Sequence, residues 1–105
     1  MITEYTSPRS FVAETIFPLV IPEHSHIISI VIESRSDNSG TVTLQTTPVD
    51  DEDARRIIYI DYITGAGFYT GNSAKEYFTS QQNLVVKITG SIEVVVKILF
   101  WEVNK

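Results

Sequence analysis

Apolar residues recur at every second position along most of this 105-residue chain. That period marks strands with one buried face. In IISIVIES (27–34), Ile28, Ile30 and Ile32 fall on one side, and Ile27, Ser29, Val31 and Glu33 on the other. The wholly apolar side predicts a central strand with Ile28, Ile30 and Ile32 inward. SDNSG (36–40) is a cluster of turn formers. TVTLQTT (41–47) then alternates, with Val42 and Leu44 inward and Thr41, Thr43 and Gln45 outward. The two segments read as a hairpin.

RIIYIDYI (56–63) repeats the pattern, with Ile58, Ile60 and Tyr62 opposite Ile57, Tyr59 and Asp61. NLVVKITGSIEVVVKILFWEV (83–103) reads as two strands around the tight connection TGS. Leu84, Val86 and Ile88 oppose Val85, Lys87 and Thr89. Val94, Val96, Ile98 and Phe100 alternate with Glu93, Val95, Lys97, Leu99 and Trp101. The second half of this last strand is apolar on both faces, so Leu99 and Trp101 need cover. A bulge, the N-terminal segment or a neighbouring subunit would supply it.

Between these strands, PVDDEDARR (48–56) reads as a solvated acidic loop and TGAGFYTGNS (64–73) as irregular chain. Ser73 and Glu76 have capping-box spacing, which predicts a helical turn near 74–78. With SFVAETIF (10–17) as the first, about seven strands punctuated by turn signals predict an all-β fold. The expected architecture is a single-domain antiparallel β-sandwich, jelly-roll or immunoglobulin-like, with residues 1–10 as an extended N-terminal arm. A chain this long supports one core.

Composition narrows the chemistry. There is no cysteine, which excludes disulfides, zinc–thiolate sites and a thiol nucleophile. Thirteen acids against eight bases give a net charge of −5. No basic stripe tracks a phosphate backbone, so neither nucleic acid nor an anionic membrane is an expected partner. No run approaches the roughly 20 apolar residues of a membrane-spanning helix, and no stretch reads as a signal peptide.

Few residues look like chemistry. His24 and His26 would project from one face of an extended strand. Two imidazoles are half of a tetrahedral site, and no third histidine exists to extend it. The plainer reading is a polar strand entrance after Pro22. Asp50, Asp51, Glu52 and Asp53 lack calcium-loop spacing and read as solvated. GAGFYTG (65–71) lacks the lysine and the strand–loop–helix context of a phosphate loop. Its Phe68 and Tyr69 form either an exposed patch or part of the core. With no nucleophile-elbow motif, the expectation is a non-enzyme with no cofactor. One alternative is a carbohydrate-binding module with Tyr59, Phe68, Tyr69 and Tyr77 as its aromatic platform.

SGTVTLQTTP (39–48) followed by NLVVKITGSIEVVVKILFWE (83–102) resembles small β-sandwich proteins of tailed-phage particles. There a strand like TVTLQ leads through a variable middle to a closing hairpin like this one. The short turn that often follows that strand is replaced here by TTPVDDEDARR. The resemblance implies a virion structural protein of the capsid-decoration, head-fibre or tail-accessory type. It would be a homo-oligomer bound to a major capsid or tail protein, with Leu99, Trp101, Phe68 and Tyr69 as interface residues. The His-x-His pair also resembles an arrangement in trimeric phage tail fibres, where copies meet at an axis and complete a metal shell.

Overall fold

The computed structural model of the chain describes residues 2–6, 15–51, 53–71 and 77–103. Among them the regular elements are all strands. They are β1 (Ile2–Thr6), β2 (Thr15–Ile21), β3 (Ser25–Ser34), β4 (Gly40–Pro48), β5 (Arg56–Ile63), β6 (Gly67–Gly71), β7 (Tyr77–Phe78), β8 (Gln82–Gly90) and β9 (Val94–Glu102). One antiparallel sheet has the order β1-β9-β3-β6, with β7 also paired to β3, and the other has the order β2-β8-β4-β5.

Because β6 and β7 flank the same edge of β3, they occupy one strand position. The two four-position sheets then interleave as a jelly roll, one of the two sandwich topologies the strand spacing predicts. Two expected hairpins are absent. β3 and β4 lie in opposite sheets, as do β8 and β9, so SDNSG and TGS are corners between layers. A tight turn has the same composition in either role. At the second corner Gly90 has φ +88°, and a Cβ there would collide with the Ser39 carbonyl. Among the described residues, the one hairpin between consecutive strands is β4–β5.

The core lies between the inner faces. Ile27, Ile30, Ile32, Val94, Val96, Ile98, Phe100 and Phe78 meet Ile21, Val42, Leu44, Ile63, Leu84 and Val86, with Ile92 closing one corner. Two bulges decide which side chains reach it. Opposite β9 the register of β3 slips between Ile27 and Ser29, leaving Ile28 as the extra residue. The slip reverses the alternation, so Ile27 is fully buried and Ile28 is not. The unbroken pattern had assigned them the other way. The β4–β5 register breaks likewise between Leu44 and Gln45, opposite Ile58. Ile57 is thereby exposed beside Ile60 and Tyr62, instead of lying with Tyr59 and Asp61. A third break in β2 brackets Pro18, whose missing N–H suits an irregular edge strand.

One further expectation changes. Gly67–Gly71 is strand β6, not irregular chain, because its residues complete the ladder along Ile30–Ser34. Within the expected N-terminal arm, residues 2–6 form an extended strand along β9. Of the helical turn expected near 74–78, residues 74–76 lie outside the described residues, and Tyr77–Phe78 is strand.

The bulge at Ile28 has a direct test. Ile27→Ala should cost about 2–5 kcal/mol of unfolding free energy, as for a buried isoleucine. Ile28→Ala should cost clearly less. Urea unfolding of the two variants gives the order, and a larger loss at Ile28 would restore the unbroken alternation.

Candidate functional site

The outer face of the β1-β9-β3-β6 sheet holds most of the singled-out side chains. Register places them in transverse rows. At one end Ile2 pairs with Trp101, Trp101 with His26, and His26 with Tyr77. Next come Glu4, Leu99 and Ser29, then Thr6, Lys97, Val31 and Thr70. Val95, Glu33 and Phe68 form the far end. The charges on this face are matched locally, Lys97 with Glu4 and Arg35 with Glu33, each at 3.4 Å. Exposed pairs of this kind add little stability, but among the described residues they match the charges of this face, in a chain whose net charge is −5.

Of the expected interface residues, Leu99, Trp101 and Phe68 share this face. Phe68 is 73% exposed and Trp101 40% exposed, while Leu99 is half-buried between β1 and β3. The N-terminal strand thus supplies part of the cover that Leu99 needs. Phe68 stands over a shallow groove of about 210 Å³ lined by Thr6, Val31, Glu33, Val95 and Lys97. Tyr69 does not join them. As the next residue of β6 it turns inward and packs on the core, where its Oη donates to the Gly65 carbonyl at 2.9 Å and accepts from the Thr64 N–H at 3.0 Å.

The aromatic platform expected for a carbohydrate module breaks up in the same way. Tyr59 also packs against the core, and its Oη donates to Asp61 Oδ2 at 2.5 Å. The ring fills the space a side chain at Gly71 would need, which ties β5 to β6 across the open side of the sandwich. Burial, then the hydrogen bond to Asp61, then the charge of that carboxylate hold the phenol above the ordinary tyrosine range. Only Phe68 and Tyr77 of the four remain on an outer surface, at opposite ends of one face.

The histidines are not a pair on one strand face. His24 precedes β3 and has φ +57°, a left-handed conformation for which histidine is one of the better non-glycine residues. Its N–H donates to the Phe78 carbonyl at 2.7 Å, and its carbonyl accepts from the Val103 N–H at 2.8 Å. His24 thus joins the end of β9 to β7, and its Nδ1 lies 3.3 Å from Tyr77 Oη. His26 is outward on β3 between Trp101 and Tyr77. The grouping of His26 with these two rings is invisible in sequence, since it arises from pairing between distant strands.

The acidic loop is exposed at Asp50, Asp51 and Asp53. Asp50 and Glu23 line a hollow of about 420 Å³ with Val49, Ser80 and Gln81, where three loops meet at one end of the sandwich. No three histidine, cysteine or acidic side chains converge among the described residues.

Comparison with known proteins yields a fold. No protein-family model and no curated protein matches the chain. Among solved structures, the crystal structure of PirA superposes with a TM-score of 0.53 at 14% identity, covering 95% of this chain and 93% of that one. The SPBc2 prophage-derived protein YomS gives a TM-score of 0.44 at 10% identity, covering 94% of this chain and 93% of that one. The likeness to PirA establishes a shared sandwich architecture across almost the whole chain.

Two measurements check the local chemistry. If His24 serves the backbone turn, His24→Gly should keep the unfolding free energy nearly unchanged, whereas His24→Val should lose about 1–2 kcal/mol. Equal losses would place the contribution in the imidazole instead. For Tyr59, the folded state keeps a proton that the unfolded chain releases above about pH 10. Its contribution is therefore present at neutral pH and falls as pH rises past that point. Denaturant unfolding between about pH 8 and 11 should show the decline, and Tyr59→Phe should flatten it.

Proposed function

We propose that this protein is a non-enzymatic structural component of a phage particle, docked through the outer face of the β1-β9-β3-β6 sheet at its Phe68 end. The observation that carries this reading is the exposed Phe68 ring over the groove lined by Val31 and Val95, on the charge-balanced face that also carries Leu99 and, at its other end, Trp101. Solvent-facing aromatic side chains on a rigid sheet favour a protein partner, because their large apolar area is buried at little cost in side-chain entropy. The matched charges let the same face be covered without stranding an ion. A jelly roll is an architecture of viral capsid domains, and the resemblance of 39–48 and 83–102 to phage sandwich proteins points the same way. The partners on this reading are further copies of the chain and a major capsid or tail protein, and the location is the virion.

Mass spectrometry of particles purified from the source phage tests this. The chain should be recovered in a fixed ratio to the major capsid or tail protein. Phe68→Glu, a change at an exposed site, should lower its occupancy at least about tenfold while leaving its own stability intact. Particles that lack the chain would overturn the proposal.

A further inference from the structure

The Trp101 end of the same face has a different character from the Phe68 groove. The transverse row Ile2–Trp101–His26–Tyr77 contains no charged residue. Trp101 and Tyr77 are about half exposed, and each lies one strand away from His26. Two strand spacings place their positions roughly 9–10 Å apart. His26 stands between them, and His24 adds a second imidazole beside the Tyr77 hydroxyl at 3.3 Å. The far end of β3, where Phe68 stands, lies roughly 20 Å along the strand.

From this geometry we infer that the Trp101–His26–Tyr77 row, with His24, is a binding site for a neutral saccharide. The two ring-bearing positions are separated by about the length of a disaccharide. Aromatic π-faces attract the polarised C–H hydrogens on the flat side of a pyranose. The imidazoles and the tyrosine hydroxyl supply hydrogen-bond partners for ring hydroxyls beside these positions. Charge decides the class. The row holds no lysine or arginine to pair with a sulfated or uronic sugar, and the chain's net charge of −5 disfavours one. This site shares only Tyr77 with the platform expected from sequence, and it does not depend on the virion assignment.

The chain has a single tryptophan, so its fluorescence reports directly on the row. Titrating the full chain with cellohexaose and, separately, with the hexamer of N-acetylglucosamine should give a saturable change in Trp101 emission with at least one of them. Tyr77→Ala and His26→Ala should each weaken it about tenfold or more, and Tyr77→Phe less than Tyr77→Ala. Tyr62→Ala, an exposed ring on the other sheet, should leave binding unchanged. Unfolding midpoints identify any variant that fails to fold, and the remaining one then decides. No change in emission with either sugar at millimolar concentration would overturn the inference, as would binding that survives both Tyr77→Ala and His26→Ala. A blue shift that develops with protein concentration alone would mean a second copy covers the row, and would overturn it too. Sugar binding without particle association, or the reverse, separates this inference from the virion assignment.

Discussion

The pairing of β3 with β9 is the interaction on which the remaining structure depends. These two strands form the middle of one sheet, and their inner side chains make up nearly half of the core. Between them lies a single extra residue, Ile28. A bulge of this kind adds a residue to one strand and turns the chain after it. Here it allows Ser25 and Ile27 on one side of the slip, and Ile30 and Ile32 on the other, all to face inward. The same slip sends His26 outward, beside Trp101 and Tyr77. The core and the outer row are consequences of one backbone irregularity.

From that centre the jelly roll distributes work between two surfaces. The fully buried hydrophobic core is mostly aliphatic, with Phe78 and Phe100 its aromatic members and Tyr59 and Tyr69 packed at its margin. The outer face of the β3–β9 sheet mixes apolar rings with ion pairs matched within the face. Such a surface tolerates water and can also be covered by a partner, since burial would leave no charge without its counterion. The opposite sheet has an edge strand, β5, that shows Ile57, Ile60 and Tyr62 to solvent. Its inner residue Tyr59 is held under Gly71, which fixes that edge against β6.

Much of the fold was legible in sequence. The alternation of Val42 with Thr43, or of Val94, Val96 and Ile98 with their neighbours, holds because a half-buried strand has no other way to sort its side chains. What failed has a common cause. Ile27 and Ile57 are apolar residues next to apolar residues, so a reversal of phase beside them leaves no trace in the pattern. SDNSG and TGS look like hairpin turns in sequence because turn residues report a change of direction, not which sheet the chain enters next. Of the candidate site, Phe68 and Trp101 were visible as aromatics in need of cover. Tyr69 was grouped with Phe68 because both are large rings, yet the two are adjacent in β6 and must face opposite ways.

The histidine pair shows where the two sources of information part. By itself the sequence determined an all-β chain with no cysteine, a negative charge and two histidines one residue apart, because composition and period are local properties. It also placed His24 just before the most apolar strand. Only the tertiary structure decided that His24 takes a left-handed backbone conformation and that His26 stands between Trp101 and Tyr77. Strand register and bulge position are set by packing between segments far apart in the chain, and no local pattern encodes them.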